Sequence, residues 1–450
     1  MNSTRVPRTV QERLAGSNLL QTLIERRSRR FGLGMKMPAG PLAYQSRHRP
    51  CPLTEDEEAA VAFSAAGITG YALADLCYAK GEGGNIMNGL VGRAVGSGDG
   101  IQAVALFVIN DTGAWVIKRP RDFNAAELAE LVRLGRAGQW TEFYRRSRVQ
   151  VKTGRAAAPL DPVFNINCNR WSLYAPGTSY FLPVNDLTFL YINGLLEVFN
   201  ETTGLFILDE RARFCSAGVG RFARRRGGHL DDDPRAGKVA TIELLERLVT
   251  EFVTVEQGMM HQNMALVSHA LGLGGFPNFA NHEFGWFQAL GFTMGQMPAS
   301  QYLGAGRAVS LLMGLLGRDQ TVPFPLGLEA QGQVLLKAYC PPYFPSMREA
   351  VKAVVRAKTA CFQKGAPATA WTRSLVCGEV PEVSPAAVEA TVAYCEYVWK
   401  RYGRFPAYLA PFRTVVGFQA CHLDAEFYDQ FYQTDALSQP QREDYAAQIG

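Results

Sequence analysis

The sequence predicts an α+β chain, a small sheet with helices packed around it. Three observations carry this. Apolar residues recur at helical spacing over several stretches, most strongly at 241–271. Strand-like runs are few and separated, the clearest being 103–109 and 333–338. The composition, 47% hydrophobic with 26 Phe and 17 Tyr in 450 residues, supplies a large core and argues against disorder.

The elements follow in order. Leu19, Leu20, Leu23 and Ile24 predict a helix over 17–30, closed by the positive run Arg26-Arg27-Ser28-Arg29-Arg30. After a Gly/Pro-rich connector at 32–52, Thr54 and Glu57 form a capping box that opens a helix of small apolar residues. A glycine-rich stretch, 81–100, leads into the strand 103–109. Asn110-Asp111-Thr112-Gly113 then turns the chain into a returning strand at 114–118. Asn124 caps a helix to about 146. In the less patterned region 156–237, residues 189–199 suit a helix and 206–208 a strand. Arg221 to Arg226 followed by Asp231-Asp232-Asp233 suggests a mobile loop with opposed charge blocks. One or two helices occupy 241–271, stopped by Leu271-Gly272-Leu273-Gly274-Gly275. Beyond the strand 333–338 come two helices, about 347–362 and 384–402, then a Pro- and aromatic-rich tail expected to fray. We therefore expect a core unit over 17–340, with an insertion at about 156–237, and a C-terminal helical extension over 341–450.

Several function classes are disfavoured. A net charge of +5 over 450 residues demands neither nucleic acid nor a membrane surface, and it is compatible with a phosphate-bearing ligand. The nine cysteines include no C-x-x-C pair, so neither a disulfide framework nor a zinc ribbon is indicated, and a reducing cytoplasm fits. The polar N-terminus carries no apolar signal segment, and no apolar run is long enough to span a bilayer. Neither the dinucleotide fingerprint nor a P-loop is present, and no G-x-S-x-G elbow accompanies the histidines. His261 and His269 share a helical face two turns apart, too far for a metal pair. His422, Asp424 and Glu426 would share one side of an extended segment, although a capped helix start or a lid explains them better than a metal.

Three segments can carry chemistry. Arg26 to Arg30 concentrates guanidinium groups, which bind phosphate bidentately. Gly92 to Gly100 has little side chain and lets main chain approach a ligand. Gln262 to Asn278 pairs a helix of small residues with a glycine turn that exposes amides.

In this order the three segments resemble the FMN-dependent nitroreductase-like superfamily, and most closely its azoline-oxidising branch, which forms thiazoles and oxazoles. Arg26-Arg27-Ser28-Arg29-Arg30 is similar to the R-R-S-x-R helix end. Pro52-Leu53-Thr54-Glu55-Asp56-Glu57 through Gly67 is similar to the PLS-x-EE…AAG helix. Arg93 to Val108 resembles the branch's R-x-x-P-S-A-G-A…LYVV turn and strand. Gln262 to Pro277 resembles its QN-x-x-LAA-x-x-LGLG-x-x-P turn. The resemblance implies a central mixed or antiparallel sheet wrapped by helices, paired as an intertwined homodimer with FMN in the interface. It implies that Arg26, Ser28 and Arg30 contact FMN, that Ser97, Gly98 and Gly100 line the ring, and that main chain around Gly275, Pro277 and Asn278 faces flavin N5 and O4. Lys337 is the candidate for a late basic residue on the phosphate. No metal and no catalytic side chain are implied, because the flavin carries hydride between a small organic or peptide substrate and its second substrate, with NAD(P)H a possible donor. Gly96 stands where the branch has proline and Asp99 where it has glycine. An acid beside the flavin would be unfavourable unless it points away. These departures motivate the alternative expectation of a flavin-free pseudoenzyme or binding module on the same fold.

Overall fold

A computed structural model describes residues 8–71, 91–159, 167–279, 282–360 and 382–450. The first half of the glycine-rich stretch 81–100, and the last two residues of the helix expected to reach 362, lie outside the described residues.

The chain folds as mixed helix and sheet around one antiparallel, seven-stranded sheet. Its strands are β1 (Val104–Ile109), β2 (Gly113–Ile117), β3 (Arg148–Thr153), β4 (Ser179–Asp186), β5 (Gly274–Asn278) and, from the C-terminal part, β9 (Phe412–Arg413) and β10 (Gly417–Cys421). The order is β5-β10-β4-β1-β2-β3, with β9 also paired to β4. Phe107 lies opposite Leu182 and Val116, while Phe418 lies opposite Phe181 and Pro277. A separate three-stranded sheet joins β6 (Phe292–Pro298), β7 (Thr321–Ala330) and β8 (Gln333–Lys337).

The alternation of β1 explains how the sheet is covered. All six of its residues are buried. Ala105, Phe107 and Ile109 enter one core, whereas Val104, Leu106 and Val108 enter another on the opposite face. The first core is roofed by α4 (Leu187–Val198), α6 (Met347–Ala360) and α7 (Pro385–Tyr402). The second lies under α3 (Glu55–Ala66) and the later turns of α5 (Ile242–Ala270). The alanines of α3, among them Ala59, Ala62, Ala65 and Ala66, are fully buried and let the 29-residue α5 pack closely. Asn263 of α5 ties that contact by donating to the carbonyls of Ser64 and Ala94, at 3.0 and 3.1 Å.

Four expectations change. The helix expected over 17–30 is α2 (Leu19–Glu25) only, capped by Asn18 and ended as Arg26 turns to an extended ψ of 123°. Winding four arginines into one last turn would stack like charges three and four apart. The helix expected from 124 to 146 is two helices, Ala125–Arg136 and Trp140–Ser147. The charge-block loop folds as successive tight turns: Arg224 pairs with Asp231 at 2.9 Å and Arg225 with Asp232 at 2.8 Å, while Ala223 and Leu230 are fully buried. The tail is ordered structure. It supplies β9 and β10 to the central sheet, and then α8 (Ala425–Phe431) and α9 (Gln439–Ile449). Residues 341–450 are thus no purely helical annex, and β4, inside the expected insertion, is a middle strand.

Among the described residues no helix is long and apolar enough to cross a membrane. Several faces are apolar and exposed, among them Val309, Leu311, Leu312 and Leu315 on the helix Arg307–Leu315. Leu19, Leu20, Leu23 and Ile24 project from α2; Leu244, Leu248, Phe252, Val255 and Met259 form a stripe along α5.

Candidate functional site

The arginine segment is shaped by the tail. The Tyr428 hydroxyl of α8 accepts from the amides of Arg30 and Phe31 at 2.9 and 3.1 Å. The Arg29 Nε donates to the Ala436 carbonyl at 2.5 Å. Arg30 donates to the Asn169 Oδ1 at 3.0 Å, and its guanidinium lies 5.5 Å from both the Trp171 and Phe276 ring centroids. It is therefore wedged between two aromatic faces. Among the described residues the side chains of Arg26 and Ser28 have no hydrogen-bond acceptor, which leaves their donors to solvent or a ligand.

Phe276 sits in the middle of β5, so Arg30 connects the arginine segment to that strand. β5 is an edge strand, paired to β10 on one side. Pro277 has no N–H and is exposed, which places its nitrogen on the open edge. The alternation of an antiparallel ladder then turns the Gly275 amide to the same edge. The glycines themselves answer to packing. A Cβ on Gly274 would lie 2.3 Å from Leu423 and 2.9 Å from the Arg29 carbonyl; one on Gly275 would lie 2.5 Å from the Phe418 ring. Asn278 is turned inward: it donates to the Gln419 Oε1 at 2.6 Å, while its carbonyl accepts from the Tyr180 hydroxyl at 2.7 Å.

Ser97, Gly98 and Gly100 lie elsewhere in the same chain. The Ser97 hydroxyl donates to Glu256 at 2.7 Å and accepts from the Gln102 amide at 2.9 Å. A Cβ on Gly98 would meet Phe252 at 3.4 Å, and one on Gly96 would meet Met259 at 3.4 Å. Gly275 instead abuts Ser268. Glu256 and Ser268 are separated by about 18 Å of helix axis at the rise of an α-helix. Asp99, at φ 55°, points into the protein and accepts from Asn193 at 3.2 Å, with the buried Lys358 on that same Asn193 at 3.0 Å. Burial raises the Asp99 carboxyl, against the opposing pull of Asn193 and Lys358. Gly100 takes a φ of 65° that only glycine accepts readily. Lys337 stands on β8 of the three-stranded sheet with β6 and β7, 5.1 Å from the Phe344 ring centroid. One protomer therefore brings Arg30 to the β5 strand that holds Gly275 and Pro277. It sets Ser97, Gly98 and Gly100 apart, and Lys337 apart again.

The histidine expectations resolve differently. Asp424 caps α8 by accepting from the Phe427 amide at 3.3 Å, and Glu426 faces His48 and Tyr445 at 3.3 and 3.4 Å. His422 turns instead to the buried carboxylates of Asp444, at 2.8 Å, and Glu57, at 3.4 Å. These three residues have the geometry of a metal cluster. Arg13 nevertheless bridges the same carboxylates, at 2.6 Å to Glu57 and 3.3 Å to Asp444. Burial pulls the His422 imidazole down. The hydrogen bonds and charges of Asp444 and Glu57 outweigh it and raise the group to about 10. Burial likewise pushes Glu57 up, but His422 and Arg13 hold it down at about 2. Two cations thus face two anions in this cluster. The sequence signalled Glu57 as a helix cap, not as a member of this quartet. His261 is pushed down to about 4 by burial. His269 lies 3.7 Å from Glu25, just before Arg26.

A cavity of about 430 Å³ opens beside the arginine segment. It is bounded by residues 27–31, by Trp171 and by α8 with the chain that follows it, and no residue of β5 lines it. Sequence reasoning missed Asn169, Trp171 and Tyr428, which no local signal marks.

No family model and no curated protein matches the sequence. A candidate nitroreductase from Ralstonia eutropha JMP134 aligns with 64% of this chain and 79% of its own, at 12% identity and a TM-score of 0.28. A likeness at that level carries no weight for this chain's fold or function.

Proposed function

We propose that this chain is an FMN-dependent oxidoreductase. Arg26, Ser28 and Arg30 would hold the anionic tail, and the open edge of β5 at Gly275 and Pro277 would face the ring. The observation that carries the reading is Arg30 seated on Phe276, which joins a donor-rich segment to a strand edge with an outward amide. The free donors of Arg26 and Ser28 suit a phosphate, and the inward turn of Asp99 keeps its charge away from any ligand. When bound, FMN accepts hydride from one substrate and passes it to another. The protein's share is to bind, orient and exclude water, so no side-chain acid or base is needed. NAD(P)H is the proposed electron donor, with a small organic or peptide second substrate.

A second copy of the chain would complete the site. Gly96 and Gly98 rest on Met259 and Phe252, in the exposed apolar stripe of α5. A partner covering that face could bring its Ser97–Gly100 turn to the arginine segment, a meeting that one protomer does not achieve. Loss of a charged hydrogen bond costs about 1.5–3 kcal/mol, so Arg26→Ala and Arg30→Ala should each weaken FMN binding at least ten-fold in a fluorescence titration. Unchanged affinity in both variants would refute this placement.

A further inference from the structure

We infer that the 430 Å³ cavity beside the arginine segment is a binding site for a small organic carboxylate or sulfonate; its place beside the tail of the proposed flavin rests on that reading. Its volume falls in the range of small-molecule pockets. Trp171 and, on the rim, the exposed Tyr432 contribute to its wall, whereas Phe31 and Phe427 are buried and stacked on one another at 4.1 Å. The charge is cationic, because Arg27, Arg29 and Arg30 line the cavity against the single carboxylate of Asp435.

Arg29 is the discriminating residue. Its Nε is committed to the Ala436 carbonyl, while its terminal nitrogens have no acceptor among the described residues. Burial pulls its pKa down, so the guanidinium is partly stripped of water without a full set of partners. A carboxylate or sulfonate entering the cavity would supply the missing acceptors, bidentately. A neutral ring would fill the same space and leave the cation unpaired. Arg30 stands between this cavity and Phe276 of β5, so a ligand here would lie on the side of Arg30 away from that strand, beside the tail of the proposed flavin.

The test is calorimetric titration of the full-length protein, flavin-loaded, with 2-naphthoate and with neutral 2-naphthalenemethanol. We expect 2-naphthoate to bind at least ten-fold more tightly than the alcohol. We also expect Arg29→Gln and the surface variant Tyr432→Ala each to weaken it at least ten-fold with flavin content unchanged. No binding of 2-naphthoate at millimolar concentration, or equal binding of acid and alcohol, overturns the assignment. So does competition in which added FMN expels 2-naphthoate, since the cavity would then be the cofactor's own. Protein that takes up no FMN yet binds 2-naphthoate selectively overturns the flavin reading and leaves the anion site standing.

Discussion

Replacing His422 with glutamine tests the buried quartet that ties the N-terminal helices to the C-terminal part of the chain. The imidazole is 1% exposed and joins the end of β10 to α3 through Glu57 and to α9 through Asp444. Arg13 of α1 (Val10–Ala15) closes the ring, and the thiols of Cys51 and Cys421 also face it. Glutamine keeps some hydrogen bonding but removes one positive charge, leaving two buried carboxylates against one guanidinium. A rise of the imidazole from 6.5 to about 10 corresponds to roughly 5 kcal/mol at about 1.4 kcal/mol per pH unit. Breaking a buried ion pair costs about 3–5 kcal/mol, which sets the expected loss. The sign follows from linkage. The folded state holds the His422 proton more tightly, so its contribution is complete below about pH 6.5 and lost as pH rises through about 10. Glu57 works oppositely: its contribution is complete above about 4.5 and lost as pH falls through about 2. Urea unfolding of wild type and His422→Gln from pH 5 to pH 10 reads the difference. The gap between the two curves should be about 3–5 kcal/mol near pH 6 and should close toward pH 10. A gap that does not change with pH would refute the charge argument.

Two further outcomes are expected. Gly417→Ala puts a Cβ 1.9 Å from the buried Tyr180 ring, so thermal unfolding should show a loss of about 1–3 kcal/mol, and an unchanged midpoint would contradict the β10–β4 packing. Phe252→Asp, on the exposed stripe of α5, should convert a dimer to a monomer by light scattering; wild type that is already monomeric at working concentration would dismiss the second copy.

Local physics was legible and long-range pairing was not. Thr54 with Glu57, and Asn124, cap helices where the sequence places them, because a cap is decided within four residues. β1 was visible as an unbroken apolar run. β4 was not, because Ser179–Asp186 interrupts its apolar residues with Pro183, Asn185 and Asp186, all of them buried in the middle of the sheet. The tail read as frayed for the same reason: Gly417–Cys421 gains its character only from β5 and β4, more than a hundred residues away. At the candidate site the arginines were legible as a charge cluster, but what orients Arg30 is not local. Asn169 lies 139 residues on and Tyr428 lies 398 residues from the amide it accepts.

The central claim is met most directly by the absorption spectrum and FMN content of the purified full-length protein. A yellow protein, carrying or taking up about one FMN per protomer, is the result this account predicts. A colourless protein whose spectrum and fluorescence ignore added FMN would contradict it.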